Sequence, residues 1–416
     1  MDVYFARFIL PVAAPLIRDG AIAIEDGRIA SAGPRKEVLE AAGSDARVLD
    51  LGNAIVIPGL VNAHTHVELS CLADDPPAGE DYASWVFDLL SKKEKMDREA
   101  AATAAETALA KLRSRGTVAI GDVANETWSA PAIARSGLHG IVFHEIYGTN
   151  SARAESLIAE AAGRLEALGA DKDVAQAEGR VRIALSPHAP HTTSAPLLRA
   201  LAGRSAACGD PFSIHVAESQ AETAFLRDGG GPLAPFYRDR GFLHEGWKPP
   251  GSSPVGYLHR LGVLSPRTMA VHCVHLTQQD HSLLQAGRVT VVTCPRSNRR
   301  LNVGVAPIPK LMKAGVPVAL GTDSLASAPD LDLFAEMAAL CEEHPSLSPA
   351  AVLRMATLNG ARILGVDDRL GSIEPGKLAE LIVVPAGEGD RSPLETVCSA
   401  PEQVYLLSEA PGEAVS

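Results

Sequence analysis

The sequence predicts an α/β fold: a (β/α)8 barrel with a small β-sandwich domain built from both chain ends. Three observations carry that expectation. Eight short β-rich runs alternate with helical patterns through the middle of the chain, the runs are apolar nearly throughout, and similar strand-and-turn segments stand at both ends. Strands apolar on both faces belong to a parallel sheet covered by helices, and eight such units are the number that closes a TIM barrel. An open doubly wound sheet is the rival arrangement. No glycine-rich phosphate loop follows any of the runs, which speaks against it.

Taken in order, residues 1–58 read as short strands, with AIAIEDGRIASAG turning at Asp26-Gly27, a pair suited to tight hairpins. The eight runs are then IVIPGLVNAHTH, GTVAIGDV from Gly116, GIVFHEIYG from Gly140, RIALSPHAP from Arg182, FSIHVAES from Phe212, TMAVHCVHL from Thr268, VTVVTCP from Val289 and PVALGTDSLA from Pro317. The Ala-rich stretch Asp97 to Arg115 and the stretch Ser151 to Leu168 are expected helices, built from residues that cost little in that conformation. A Gly- and Pro-rich insertion from Leu226 to Tyr257 is expected to be a lid or an oligomer contact. From Gly371, GSIEPGKLAELIVVP repeats the turn-and-strand pattern of the first residues. The expected division is 1–58 plus 371–416 for the sandwich and 59–370 for a catalytic barrel. The tail after Gly387 shows no regular strand patterning.

Composition narrows the function classes. A 46% hydrophobic content describes a globular chain, and no run approaches the ~20 apolar residues that a membrane span requires. Asp2, Arg7, Pro11 and Pro15 break the N-terminal apolar patches, so no secretion signal is expected and the protein is read as cytoplasmic. A formal charge of −12, without a Lys/Arg cluster among aromatics, argues against a nucleic-acid partner. Six cysteines, at 71, 208, 273, 294, 341 and 398, lack CxxC spacing and are expected to be reduced thiols.

Chemistry concentrates in the histidines. His64 and His66 are separated by one residue at the end of an apolar run, and on an extended strand side chains i and i+2 leave the same face. Both imidazoles can therefore meet one ion. In a barrel every strand's C-terminal end faces one mouth, so His215, His272 and Asp323, at or beyond later strand ends, can join them. Imidazoles with a carboxylate suit one divalent transition metal, zinc first and iron second, better than calcium or magnesium. Each residue also has an ordinary role: packing for the histidines, turn formation or capping for Asp323, helix capping for Glu218.

The motifs HTH, HVAES, HCVHL and GTDSLAS together resemble the amidohydrolase superfamily, and the likeness extends over nearly the whole chain, to LNGARILG and GSIEPGKLAELIVV. Two-metal branches carry a strand-4 lysine, absent from RIALSPHAPH, so the resemblance is to the single-metal deaminases. It implies His64, His66, His215 and Asp323 as metal ligands, with His272 beside the reacting water. Asp323 would take the water's proton, and Glu218 would shuttle a proton to a ring nitrogen of an amino-heterocycle, which then loses ammonia. His275 is expected at the rim, and His144 and His191 are left without a role.

For substrate, the resemblance sets His188 and an aromatic, Trp85, against an adenine nucleoside, with Glu94 a candidate for ribose hydroxyls. Arg296 in TCPRSN offers a fork-shaped cation to a carboxylate, unless a protein acid already holds it. These features, and His144 where S-adenosylhomocysteine deaminases carry an arginine, resemble the subgroup that deaminates aminodeoxyfutalosine in menaquinone biosynthesis. The alternatives are a deaminase of S-adenosylhomocysteine, adenosine, guanine or another amino-heterocycle, a hydrolase of ring amides or chloro-heterocycles, and a non-catalytic barrel scaffold. The expected partner is a small-molecule substrate, with no membrane and no nucleic acid; a homodimer is one option, and the oligomeric state is left open.

Overall fold

The computed structural model describes residues 1–73, 81–177, 179–243, 246–387 and 391–415, and divides into two compact units. The first comprises Met1–Ala63, Ala110–Ala119 and Asp332–Ser416. It holds both chain ends.

Within that unit eight strands form one branched sheet. Asp2–Ile9 is the branch point, antiparallel to Ile17–Glu25, parallel to Arg47–Asp50 along its first half and parallel to Ala54–Pro58 at Phe8 and Ile9. Leu381–Pro385 lies antiparallel to Ala54–Pro58, which is how the end of the chain joins its beginning. The hairpin between Ile17–Glu25 and Arg28–Pro34 turns at Asp26 and Gly27, with φ of 50° and 73°, the paired left-handed geometry that matches strand twist. One face packs Ala6, Ile22, Ile29, Val56 and Val383; the other sets Val3, Phe5, Ala21 and Ala23 against Val38 of helix Arg35–Ala42. The expected sandwich is thus a single sheet covered on both faces. In the tail, Tyr405–Leu406 and Glu413–Val415 pair with Leu381–Pro385 and Arg47–Asp50. Strands of two and three residues are too short to leave an alternating pattern.

The first apolar run is split. Ala54–Pro58 belongs to the end-derived sheet, and after Gly59 the chain continues as β1, Leu60–Thr65. The other seven runs each form one strand: β2 Thr117–Ala124, β3 His139–Ile146, β4 Val181–Pro187, β5 Phe212–Val216, β6 Thr268–His272, β7 Thr290–Thr293 and β8 Val318–Leu320. They make two four-stranded sheets in the orders β1-β2-β3-β4 and β5-β6-β7-β8, with β3 parallel to β4 and the whole second sheet parallel.

The second unit, His64–Leu109 and Ile120–Leu331, carries the strand ends that matter for chemistry. Two backbone contacts tie its sheets at their margins: Thr65 forms a parallel bridge with Asp323, and the His215 N–H donates to the His188 carbonyl at 2.9 Å. The insertion after Leu226 packs inward rather than standing free: helix Leu233–Asp239 stacks Phe236 on Phe87 at 3.8 Å, and Trp247 stacks on Phe225 at 4.6 Å. Among the described residues no helix is long and apolar enough to cross a membrane.

Candidate active site

At the end of β1 the strand geometry does what its period dictates, sending His64 and His66 to one side with ring centroids 4.8 Å apart. From β5, His215 brings its Nε2 to 3.3 Å from that of His66. The Asp323 Oδ1 lies 3.7 Å from His64 Nε2 and 3.6 Å from His66 Nε2. Donor atoms about 2.1 Å from a common tetrahedral centre would stand about 3.4 Å apart. His64, His66 and Asp323 form one grouping with about that spacing, and His215 adjoins it through His66. His272 shares a second grouping with His64 and His215, its ring centroid 5.6 Å from that of His215.

The partners behind these residues fix which atoms face inward. The His215 Nδ1 sits 2.9 Å from the His188 carbonyl, an acceptor that requires a proton there and leaves Nε2 for the cluster. His272 Nδ1 is 3.0 Å from Asn298 Oδ1, which turns its Nε2 inward in the same way. Ser297 and Ser327 both donate to Asp323 Oδ2, at 2.6 and 2.8 Å, so Oδ1 is the oxygen aimed at the imidazoles. Gly321 lets this packing occur: a Cβ there would lie 2.8 Å from the His64 carbonyl oxygen. Backbone strain gathers at the same rim, with Ala217, His272, Cys273 and Asp323 all in the left-handed region, φ 50–69°.

Electrostatics prepares the cluster for a cation. Burial drives the His64 pKa down to about 4 and that of His66 to about 3, so both rings are neutral ligands at pH 7. Burial pushes the Asp323 carboxyl upward, but the neighbouring His64, His272 and His66 imidazoles outweigh it and hold it well below the ordinary value.

Glu218 follows β5 and has its two oxygens assigned to different neighbours. Tyr82 donates its hydroxyl to Oε2 at 2.6 Å, and Oε1 faces His272 Nε2 at 3.7 Å. The following helix, Gln220–Asp228, is capped by Ser219, whose side chain accepts from Glu222 N–H. Glu218 is not needed as its cap.

On the opposite side, β3 contributes Glu145, which the sequence reading passed over in favour of its neighbour His144. Adjacent strand residues face opposite ways: His144 Nδ1 lies against the Ala124 carbonyl, while Glu145 groups with His188 and His215. Glu145 Oε2 accepts from Asn125 Nδ2 at 2.8 Å, and Oε1 is buried with no hydrogen bond, 3.5 Å from His215 Nδ1. Burial raises its pKa, and His188, His215, His66 and Lys93 together overcome this to leave it at about 2. His188 itself is lowered to about 3, chiefly by burial, and its Nδ1 lies 2.8 Å from Thr192 Oγ1.

The remaining sequence candidates lie outside the clustered donor atoms. Trp85 is half-buried with its ring 5.8 Å from Tyr82. Glu94 is exposed and paired with Arg240 at 2.9 Å. Arg296 makes a two-pronged pair with Asp330, at 2.5 and 2.8 Å, so a protein acid does hold the fork offered to a substrate carboxylate. His275 Nε2 donates to the Val303 carbonyl at 2.7 Å, and His191 lies buried 3.8 Å from Glu222. A cavity of ≈ 650 Å³ is bordered by Tyr82, Ser219, Arg227, His275 and Asn302. Tyr82, Glu145, Asn298, Ser297 and Ser327 were not foreseen. Ser297 and Asn298 were within reach, since both sit in the CPRSN motif already singled out.

Comparison with known proteins agrees with this geometry. The model of the amidohydrolase family matches residues 55–402. A 5-methylthioadenosine/S-adenosylhomocysteine deaminase of Moorella thermoacetica is 34% identical over 388 residues, covering 90% of this chain and 83% of the relative. An adenosine deaminase from Xanthomonas campestris, solved with bound zinc, superposes with a TM-score of 0.78 at 26% identity, covering 96% of this chain and 89% of that one. Helicobacter pylori aminofutalosine deaminase, in complex with methylthio-coformycin, shares the fold over 100% of both chains, with a TM-score of 0.82 at 21% identity. The chain belongs to the amidohydrolase family and is a hydrolase of carbon–nitrogen bonds other than peptide bonds.

Proposed function

We propose that the protein is a single-metal deaminase that removes the 6-amino group of an adenine nucleoside as ammonia, acting in the cytoplasm from two sheets closed into one (β/α)8 barrel. The observation that carries this reading is Glu218, a buried carboxyl held beside His272, which groups with His64 and His215 next to the His64–His66–Asp323 grouping. An amine leaves only when a proton is delivered to the heterocycle, and that carboxyl is the group placed to deliver it.

His64, His66, His215 and Asp323 would hold the ion, zinc or iron by the chemistry of the donor set. When bound, a divalent metal of this kind lowers the pKa of water to about 7. Asp323, with Oδ2 occupied by two serines, accepts the water's proton through Oδ1. Glu218 passes a proton to the ring nitrogen next to the amino-bearing carbon, which draws electrons from that carbon and opens it to attack. His272, fixed by Asn298, orients the attacking oxygen and stabilises the charge it gains. The C–N bond then breaks as the amino group takes up the proton held by Asp323 and leaves as ammonia, while the new hydroxyl gives its proton to Glu218 and becomes the carbonyl. His188 and Trp85 are assigned to the nucleoside.

The relative from Moorella supports a 5′-modified adenine nucleoside. Aminodeoxyfutalosine is the narrower candidate, and its sequence argument rests on Arg296. The Asp330 pair engages that guanidinium, so the proposal is made at the level of the adenine nucleoside. The test is ammonia release by metal-loaded protein from adenosine, 5-methylthioadenosine, S-adenosylhomocysteine and aminodeoxyfutalosine, with guanine, a cyclic amide and a chloro-triazine beside them. Turnover confined to the last three would overturn the reading. A protein that folds and assembles without metal and turns over nothing is the scaffold.

A further inference from the structure

The helix Tyr82–Glu94, which follows β1, is joined to the site at both ends. At its first residue, the Tyr82 hydroxyl donates to Glu218 Oε2 at 2.6 Å. In its last turn, Lys93 Nζ donates to Glu68 Oε1 at 2.7 Å and to Asn125 Oδ1 at 2.5 Å. Between these anchors, Ala83 is buried among Phe225, Leu233, Ala234 and Tyr237, and Phe87 stacks on Phe236. Asp81 caps the helix start by accepting from Ser84 N–H at 3.0 Å. The phenol is therefore not a loose side chain that happens to meet a carboxylate: two polar anchors and an apolar contact fix the backbone that carries it.

We infer that Tyr82 is the positioning residue of the proton shuttle, holding Glu218 by one oxygen so that the other is presented toward His272 and the substrate. A carboxyl on three rotatable side-chain bonds has many orientations, and only those that aim an oxygen at the ring nitrogen transfer a proton. Burial and the adjacent Glu218 raise the Tyr82 pKa well above 10, so the phenol stays a donor across the working range. Tyr82 also borders the ≈ 650 Å³ cavity, together with Ser219, the residue after Glu218. Lys93 acts through the helix, keeping its far end seated on Glu68 and Asn125.

This inference rests on the reading of Glu218 as the shuttle, and the variants separate the two. With zinc-loaded protein and 5-methylthioadenosine, Tyr82→Phe is expected to lower kcat about 10- to 100-fold, with KM within about threefold and zinc content unchanged. Because the phenol works only through the carboxyl, Tyr82→Phe in a Glu218→Gln background is expected to lower kcat no further. Lys93→Met is expected to lower kcat several-fold in the parent and by less beside Tyr82→Phe, with the remaining effect carried through Asn125 to Glu145 and read in KM. Its readout stands even if the tyrosine variant folds poorly. Normal kcat in Tyr82→Phe, or losses that simply multiply with Glu218→Gln, overturns the role of Tyr82 and leaves the shuttle intact. Normal kcat in Glu218→Gln overturns the shuttle itself.

Discussion

The two sides of the candidate site are finished differently. Beside β6, β7 and β8, short side chains satisfy the atoms turned away from the cluster: Asn298 holds His272, and Ser297 and Ser327 hold Asp323. Beside β2, β3 and β4, the supports are long and jointed, running from Lys93 through Asn125 to Glu145, and they leave Glu145 Oε1 buried without a hydrogen bond. The difference teaches a division of labour. The first side is locked, as suits residues proposed to hold an ion and a water within tenths of an ångström. The second keeps an unused acceptor beside His188, as suits a surface completed by what binds there.

The harshest test of the locked side is removal of its carboxylate. Asp323→Ala is expected to lose metal, read by elemental analysis, and turnover on the order of 10³-fold or more, because ligand and proton acceptor go together. Next comes Glu218→Gln, which should keep its metal and lose turnover on the order of 10²-fold or more. A Glu218→Gln protein that no longer binds metal would merge two roles that the geometry keeps apart.

A paired experiment sharpens the contrast at smaller amplitude. Ser297→Ala, on the locked side, should weaken metal affinity about 10-fold without a large change in KM, and Glu145→Gln should raise KM about 10-fold with metal affinity nearly intact. Equal effects on metal would mean that both sides serve the ion.

The smallest expected effect is on the stability of the metal-free protein. His64, His66 and His188 have pKa values of about 4, 3 and 3 in the fold, against an ordinary 6.5. Below 6.5 the unfolded chain takes up protons that the folded rings refuse, so stability is full above that pH and falls toward pH 4. Asp122 opposes this over the same range, since burial lifts it to about 7 and the folded form keeps its proton. His144, also lowered by burial, adds to the loss and Asp210, raised by burial, opposes it; the histidines outnumber the aspartates, and the net loss is measurable as a lower urea midpoint at pH 5 than at pH 7.

How much of this was legible in the sequence depends on the distance over which each feature is specified. The eight strand runs declared themselves through local apolar character, and the clustered ligands through motifs at strand ends. The break at Gly59 was hidden because one continuous apolar run serves two sheets, and the tail strands were hidden because two residues make no period. Glu145 was missed for a different reason. A histidine beside it drew attention, and which of two adjacent residues faces the site depends on strand orientation that spacing alone does not fix. Arg296 shows the converse: a residue of suitable chemistry whose charge a neighbour 34 positions away already engages.

The Thr65 hydroxyl donates to the carbonyl of Asp323, 258 residues further along, and both Thr322 and Asp323 donate their N–H groups to the carbonyl of His64. One ligand-bearing segment thus emerges early from the ribosome and its counterpart late. A nascent chain stopped before position 323 carries the opening histidines without the residues that seat them. A metal held by the proposed set of His64, His66, His215 and Asp323 would await a chain extended past position 323, and a fragment that ends before it would lack the carboxylate.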